Sequence, residues 1–364
     1  MAHKILISGG GTGGHIFPAL SIADEIRRRE PDADIRFVGA LGRMEMERVP
    51  AAGYPIEGLP VAGFDRKRLW RNIPVLFKLW KSMRRARRIV RDFAPDIAIG
   101  VGGYASGPVL KAAQRRDVPT LIQEQNSYPG VTNKLLAKRA KAICVAYPDM
   151  ERYFPADRII TTGNPIRHAL LECEFTQAEA KRKLGFAPDR PLVVALGGSL
   201  GARTINESIE ASLPMLAANG IDLLWQTGKL YAAECAPKAA PYSNVKATAF
   251  VDDMGAAYAA ADLVVARAGA GTISEIEALG CPSILIPSPN VAEDHQRHNA
   301  EALSSHNAAV MILDADARTR LSNTIVELIN DPQHRRQIAE AAAAMALTGS
   351  AEAIAEQAFK LMKK

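Results

Sequence analysis

The sequence opens with KILISGGGTGGH (residues 4–15), in which a short apolar segment runs directly into a glycine-rich stretch. Residues 5–8 have the composition of a buried strand, and residues 16–29 repeat apolar side chains at helical spacing. A strand, a glycine loop and a helix in this order direct free backbone N–H groups and the helix dipole at the loop. The stretch therefore predicts an anion-binding turn at the edge of an α/β sheet.

The glycine loop fits neither of two common phosphate-binding patterns. A dinucleotide fold requires an acidic residue at the end of its second strand, and residues 39–42 follow the predicted strand at residues 35–38 without one. A P-loop requires lysine and then serine or threonine after its last glycine, where this chain has His15 and Ile16. The remaining interpretation is a glycine loop that presents a histidine at the ligand-binding edge of the sheet.

Length and composition indicate a globular protein with two domains. The chain has 364 residues, of which 48% are hydrophobic and 23% are charged. No apolar run approaches the length of a membrane span, and a strand begins soon after the N-terminus, so we expect neither a membrane helix nor a secretory signal. The four cysteines are Cys144, Cys173, Cys235 and Cys281. They form no metal-ligand or C-x-x-C pattern, which favours reduced thiols in a cytosolic protein.

The net charge of +6 comes from one segment. From Arg66 to Arg91 there are 11 Lys or Arg and no Asp or Glu, which leaves 34 basic and 39 acidic residues elsewhere. The apolar residues that recur at helical spacing in this segment are Trp70, Ile73, Leu76, Phe77 and Trp80. We interpret the segment as a helix, beginning near Ile73, whose aromatic residues enter a membrane surface while its cations meet anionic lipid. The alternative is a helix whose aromatic residues belong to the core.

A strand followed by a glycine loop occurs twice in each half of the chain. In the first half the loops follow the strands at residues 5–8 and 97–100, and in the second half they follow residues 191–196 and 261–266. Turn residues at 162–165 separate the halves. The duplication predicts an α/β fold with two Rossmann-like domains that face a central cleft, an arrangement suited to joining two substrates.

The last glycine loop has the groups that a nucleoside diphosphate needs. Thr272 and its neighbours open a helix and can bind phosphate oxygen atoms through backbone N–H groups. Glu275, one turn further along, could accept hydrogen bonds from both ribose hydroxyl groups, or it could be an acid favoured by the helix dipole. No D-x-D pair precedes these loops, and the pair Asp252 and Asp253 favours a helix cap, so we predict no metal site.

Eight segments carry a family resemblance: GGGTGGHIFPAL, GVGGYASGP, QEQNSYPGVTNKLLAKRA, GNPIR, GGSLGAR, FVDDM, RAGAGTISE and DHQRHNA. They resemble the MurG family of bacterial peptidoglycan enzymes, in the same order along the chain. The resemblance implies a GT-B fold and no cofactor. It implies transfer of N-acetylglucosamine, with inversion, from UDP-N-acetylglucosamine to the muramoyl 4-hydroxyl group of lipid I, which gives lipid II.

The resemblance also implies the domain roles and the location. Residues 1–163 are expected to bind the acceptor and to dock on the membrane, residues 164–342 to bind the UDP-sugar, and residues 343–364 to pack back on the first domain. The enzyme is expected to be peripheral, on the cytoplasmic face of the bacterial inner membrane. Its expected partners are UDP-N-acetylglucosamine, lipid I and an anionic membrane surface, and not nucleic acid.

Site residues follow from the matching motifs. Those expected near the acceptor and the donor sugar are Thr12, Gly13, Gly14, Asn126 and Arg167. Those expected around the uridine diphosphate are Ser199, the Val251 backbone, Ala270, Gly271, Thr272, Ile273, Ser274 and Glu275. Gln296 and Asn299 are expected to hold the sugar hydroxyl groups. The sequence departs from the family pattern at Gly271, where we expect a larger aliphatic residue.

Displacement at an anomeric carbon requires a base for the acceptor hydroxyl group and stabilisation of the leaving diphosphate. His15 is the candidate base, and Glu124, at a neighbouring strand end, could share the role. The alternative for His15 is a hydrogen-bonded structural histidine. Helix N-termini at Ser199 and at residues 270–272 could stabilise the diphosphate without a metal.

Two other functions remain open from the sequence. A UDP-sugar epimerase would use the same two-domain fold and the same ribose carboxylate, without needing the basic apolar segment. A non-enzymatic nucleotide-binding protein could use the segment from Arg66 to Arg91 as a nucleic-acid arm. Aromatic residues at helical spacing among the cations favour a membrane surface over nucleic acid.

Overall fold

The computed structural model describes residues 2–11, 13–62, 73–166, 168–198, 200–291 and 294–362, with backbone only at residues 73, 74, 168 and 169. The chain divides into two compact units, Met1–Arg167 with Leu347–Lys364, and His168–Ala346. This division falls four residues after each boundary expected from the sequence. Each unit is built on its own parallel sheet.

The first unit has a seven-stranded sheet in the order β3-β2-β1-β4-β5-β6-β7. Its strands are β1 (Lys4–Ser8), β2 (Asp34–Ala40), β3 (Ile56–Leu59), β4 (Ile97–Gly100), β5 (Thr120–Glu124), β6 (Ala142–Val145) and β7 (Ile159–Thr161). Its helices are α1 (Gly13–Arg29), α2 (Glu45–Ala51), α3 (Ile73–Phe93), α4 (Ser106–Gln114), α5 (Val131–Ala137) and α15 (Ser350–Met362). Two short 3₁₀ helices cover Met150–Arg152 and Ala156–Arg158.

Both faces of this sheet are covered, which explains why its central strands are apolar throughout. Ile5 and Ile7 of β1 pack on the side of α1 and α15, and Leu6 packs on the side of α3 and α4. The strand order reverses between β1 and β4, which pair in parallel. The loops that follow these two strands therefore separate at the point where such sheets bind ligands.

The second unit repeats this arrangement with six strands in the order β10-β9-β8-β11-β12-β13. Its strands are β8 (Leu192–Leu196), β9 (Asp222–Gln226), β10 (Val245–Thr248), β11 (Leu263–Ala266), β12 (Ser283–Leu285) and β13 (Val310–Met311). Its helices are α6 (His168–Leu171), α7 (Gln177–Lys183), α8 (Arg203–Ala218), α9 (Ala232–Ala239), α10 (Met254–Ala260), α11 (Ala270–Leu279), α12 (His295–Ser304), α13 (Ala317–Asn330) and α14 (Pro332–Met345). Here the order reverses between β8 and β11, and the predicted α/β duplication is confirmed.

Among the described residues, one stretch, Pro332–Met362, is long and apolar enough to cross a membrane by length and composition alone, with a mean hydropathy of 1.2 over an 18-residue window. From the sequence we expect no such run. The stretch consists of two helices, because α14 ends at Met345 and α15 begins at Ser350. Ile354, Ala355 and Ala358 of α15 are fully buried in the core of the first unit. These residues of α15 therefore pack within the first unit.

Glu277 on α11 allows a test of the packing of the second unit, because burial raises the pKa of its carboxyl group from 4.5 to about 8. Between these values the folded chain keeps a proton that the unfolded chain releases, so the free energy of unfolding falls as the pH rises toward 8. We expect the free energy of unfolding of Glu277→Gln, relative to that of the parent protein, to rise by about 1–3 kcal/mol between pH 5 and pH 9. Urea unfolding at both pH values measures this gain, and curves that shift in parallel would contradict it.

Candidate functional site

The two glycine loops of the first unit lie in contact with each other. Gly103, in the loop after β4, has φ of +82°, and a Cβ atom there would overlap the carbonyl oxygen of Gly10. A Cβ atom on Gly9 would overlap the side chain of Val101. The backbones can approach this closely only because these positions lack side chains.

His15 lies between these loops. It is the third residue of α1 and is partly exposed. Its ring packs against the second loop, since a Cβ atom on Gly102 would lie 2.9 Å from His15 Nε2 and 2.8 Å from its Cδ2. Of the other residues predicted here, Gly13 and Gly14 form the first turn of α1, and Thr12 lies outside the described residues. The structure thus presents an imidazole at the reversal of strand order.

Glu45 holds the first glycine loop and was not among the residues predicted from the sequence. It is fully buried, and its carboxylate accepts the N–H of Gly11 at 3.0 and 3.1 Å and the N–H of Ala40 at 2.9 Å. A Cβ atom on either Gly10 or Gly39 would overlap the Glu45 side chain. The dinucleotide pattern places its acid at the end of the second strand. Glu45 instead lies five residues after β2, as the first residue of α2, and its side chain contacts the first glycine loop.

This carboxylate determines which part of the first loop can bind an anion. Because the N–H of Gly11 already donates to Glu45, a phosphate cannot use that group without displacing a buried carboxylate. The N–H groups that start α1, at Gly13 and Gly14, lie beyond this contact. The start of α1, next to His15, is therefore the part of this loop whose described N–H groups favour an anion.

Glu124, the second predicted catalytic residue, is fully buried at the end of β5. Its Oε1 accepts the backbone N–H of Asn126 at 3.1 Å and the side-chain amide of Asn126 at 3.2 Å. Its Oε2 accepts the N–H of Gly130 at 3.1 Å and the amide of Asn133 at 2.8 Å. Burial raises the pKa of this carboxyl group and these donors oppose the rise. Four internal donors favour a role in shaping the loop at residues 125–130 over proton transfer.

A buried amide network lies beside this loop. Gln123 donates to Asn164 Oδ1 at 3.0 Å, and Asn164 in turn donates to the carbonyl oxygen of Gln125 at 3.0 Å. Gln125 donates to the carbonyl oxygen of Val101 at 2.8 Å, which connects the network to the loop that faces His15. The GNPIR motif thereby contributes a buried asparagine to the site, whereas Arg167 of the same motif lies outside the described residues.

In the second unit, α11 begins at Ala270 and presents its N-terminus at the carboxyl edge of the sheet. The first bond within the helix runs from the N–H of Ile273 to the carbonyl oxygen of Gly269 at 3.0 Å, so the N–H groups of residues 270–272 point outward. Ile273 and Ser274 are buried. A Cβ atom on Gly271 would meet no described atom within 4 Å, so the departure from the family pattern leaves the loop unobstructed. Ser199, in the other loop of this unit, lies outside the described residues.

Glu275 is partly exposed, and Tyr258 of α10 donates a hydrogen bond to its Oε2 at 2.8 Å. The N–H of Val251 donates to Gln226 Oε1 at 2.9 Å, so this N–H is used within the protein. Asp253 caps α10 by accepting the N–H of Ala256 at 2.9 Å, as predicted.

The predicted sugar-binding residues lie on and near α12. Gln296 accepts the N–H of Ser288 at 2.9 Å and so holds the loop after β12. Asn299 is fully buried and donates to the carbonyl oxygen of Ala268 at 3.4 Å, a placement that favours support of the β11–α11 loop over direct contact with a sugar. Arg267, which the sequence analysis did not single out, pairs with Asp314 and donates to the carbonyl oxygen of Ile286 at 3.1 Å.

Helix α3 begins at Ile73 and separates its side chains into two faces. Ala86, Val90 and Phe93 are buried in the core, whereas Phe77 and Trp80 are 57% and 51% exposed and stack with ring centroids 5.9 Å apart. Leu76 is exposed as well. Trp70 and the side chain of Ile73 lie outside the described residues. The alternative in which these aromatic residues form the core is therefore wrong for Phe77 and Trp80.

Cations surround this apolar face. Lys81 lies over the Phe77 ring at 4.7 Å, and Arg84 lies over the Trp80 ring at 4.7 Å. A basic groove of about 730 Å³ continues along α3 to the end of α4, and its cationic lining residues are Lys81, Arg84, Arg85, Arg87, Arg88, Arg91, Arg115 and Arg116. Within the part of the chain that the structure describes, no three His, Cys, Asp or Glu side chains group as metal ligands do.

Comparisons with known proteins agree with this two-unit architecture. Residues 5–145 match the glycosyltransferase family 28 N-terminal domain, and residues 192–357 match its C-terminal domain. The UDP-N-acetylglucosamine–N-acetylmuramyl-(pentapeptide) pyrophosphoryl-undecaprenol N-acetylglucosamine transferase of Phocaeicola vulgatus is 55% identical over 364 residues, which cover 99% of this chain and 97% of that protein.

Solved structures show the same fold over the whole chain. Acinetobacter baumannii MurG matches with a TM-score of 0.77 and 25% identity, covering 99% of this chain and 100% of that chain. The UDP-GlcNAc 2-epimerase of Neisseria meningitidis matches with a TM-score of 0.70 and 13% identity, covering 98% and 100% of the two chains, which shows a shared fold alone. With both halves matched in order by the family models and a full-length relative at 55% identity, the chain belongs to glycosyltransferase family 28 and has a GT-B fold.

Proposed function

We propose that this protein transfers N-acetylglucosamine from UDP-N-acetylglucosamine to the muramoyl 4-hydroxyl group of lipid I, which gives lipid II. The observation that supports this most directly is the 55% identity, over 99% of the chain, with a relative named for this reaction. The geometry agrees with a displacement, because the first unit presents a histidine and the second unit presents a helix N-terminus and a carboxylate.

In the proposed reaction the acceptor 4-hydroxyl oxygen attacks the anomeric carbon of the donor. His15 takes the hydroxyl proton, and the bond between the anomeric carbon and the diphosphate oxygen breaks with inversion. The leaving UDP takes the electron pair, and outward N–H groups at residues 270–272, with the loop that contains Ser199, stabilise its charge. Glu124 shapes the neighbouring loop.

The remaining roles are proposed from the placement of the residues. The start of α1, at Thr12, Gly13 and Gly14, would meet the acceptor diphosphate or the donor sugar, together with Asn126 and Arg167. In the second unit the Val251 carbonyl oxygen would accept the uracil imide N–H, and Glu275 would accept the ribose hydroxyl groups. Gln296 would bind the sugar, and buried Asn299 would support it by holding the Ala268 loop.

An epimerase is the second candidate function, because enzymes of that activity share the fold. An assay with UDP-N-acetylglucosamine labelled in the sugar separates the two functions. Label that moves only when a lipid I analogue is present supports the transferase. Conversion of the free UDP-sugar without acceptor would overturn the proposal in favour of the epimerase.

We also propose that the exposed face of α3 docks the enzyme on the cytoplasmic side of the inner membrane. The acceptor keeps its lipid tail in the bilayer, so the enzyme must reach the membrane surface. Phe77 and Trp80 can enter the headgroup region, and each surrounding cation near an anionic bilayer contributes about 1 kcal/mol. A few such contacts are sufficient for reversible binding that salt weakens.

For the chemical step, we expect His15→Ala to lower kcat by about 10²- to 10⁴-fold with a small change in the KM for donor, because a general base acts in the transition state. Steady-state kinetics with a soluble lipid I analogue measure both constants. His334→Ala, which removes an exposed histidine of α14, is the matched control and should keep normal turnover. Near-normal kcat in folded His15→Ala would contradict the assignment.

For docking, we expect the double variant Phe77→Ser with Trp80→Ser to sediment less with anionic vesicles and to keep its turnover of a short-chain soluble acceptor. The reason is that both rings are exposed and contribute apolar area to the surface but little to the core. Met215→Ser with Leu313→Ser removes two exposed apolar side chains from the second unit and should leave sedimentation unchanged. Equal sedimentation of all three proteins would exclude this face as the docking surface.

A further inference from the structure

Tyr258 is a buried side chain of the second unit to which the proposed reaction gives no role. It lies on α10, and 3% of its surface is exposed. Its hydroxyl group donates to Glu275 Oε2 at 2.8 Å, across 17 residues of sequence. The bond therefore joins α10 to α11 at the partly exposed carboxylate that we assign to the ribose.

The segment that contains Tyr258 is held at several points. Asp253 caps α10 through the N–H of Ala256 and pairs with Lys183 Nζ of α7 at 2.7 Å. Two residues before the cap, the N–H of Val251 is bound by the side chain of Gln226. Residues 251–258 thus contain both the backbone group proposed for uracil and the hydroxyl group that holds the proposed ribose carboxylate.

We infer that Tyr258 is a positioning residue that holds the Glu275 carboxylate ready to receive the ribose hydroxyl groups of a uridine nucleotide. The inference rests on the proposed role of Glu275. A glutamate side chain has several rotamers, and ordering them upon binding weakens affinity. A carboxylate has several acceptor positions, and the tyrosine hydroxyl group occupies one of them. The hydrogen bond from Tyr258 orders the Glu275 side chain before the nucleotide binds.

This role predicts an effect on donor binding and not on the chemical step. We expect Tyr258→Phe to raise the KM for UDP-N-acetylglucosamine about 3- to 10-fold and to keep kcat within about twofold. The reason is that the Glu275 side chain must then be ordered when the donor binds. The preference for this donor over its 2′-deoxyuridine analogue should fall. Tyr242→Phe, at a half-buried tyrosine packed on the core of the same unit, is the matched control and should change neither value.

A double-variant comparison separates positioning from a general loss of stability. If Tyr258 acts through Glu275, the variant with both Tyr258→Phe and Glu275→Ala should have the KM of Glu275→Ala alone. Calorimetric binding of UDP gives the same comparison without turnover. Circular dichroism verifies that each variant is folded at the assay temperature.

The outcomes distinguish this inference from the proposal on which it rests. If Glu275→Ala keeps the full preference for the ribose donor, the ribose is bound elsewhere, and both the role of Glu275 and that of Tyr258 are wrong. If Glu275→Ala loses the preference while Tyr258→Phe keeps the KM and preference of the parent, only the inference about Tyr258 is overturned. Effects of the two substitutions that add in the double variant would overturn it as well.

Discussion

The close approach of two glycine loops at the centre of the first sheet is the constraint on which its site depends. The loops after β1 and β4 meet where the strand order reverses, and a Cβ atom at Gly103 would overlap the backbone of Gly10. The buried carboxylate of Glu45 fixes the first loop from behind by accepting two backbone N–H groups. The start of α1 places the His15 ring against Gly102 of the second loop.

The two units share one topology and differ in where each places an acid. In the first unit Glu45 accepts the N–H of Gly11 in the glycine loop, so an internal carboxylate occupies a donor that a nucleotide phosphate would otherwise use. In the second unit Glu275 stays partly exposed, and α11 keeps its first N–H groups pointing outward. This contrast supports placing the UDP-sugar in the second unit, independently of the family resemblance.

Hydrophobic periodicity and repeated glycine loops were sufficient to predict the two parallel sheets, because buried parallel strands are apolar throughout. Distances between elements were not predictable: Glu45 lies beyond the strand end at which an acid was sought, and Tyr258 reaches Glu275 from another helix. Periodicity also could not decide whether Phe77 belongs to the core or the surface, because residues at helical spacing can line a buried face or an exposed one. The exposure of Phe77 in the structure decides this question. In the same way, the burial of Glu124 and its four internal donors could not be read from any sequence pattern.

The direction of α3 connects the docking face with the chemistry. Because β3 and β4 are parallel, the helix between them must start at the carboxyl edge of the sheet and return to the opposite edge. Its 21 residues span about 30 Å, and Phe77 and Trp80 lie in its first half, on the side of the sheet edge where His15 lies. A bilayer that accepts these rings would therefore hold the diphosphate of a lipid-linked substrate near the glycine loops. In the proposed function, the lipid-linked acceptor and the docking helix therefore belong to the same unit.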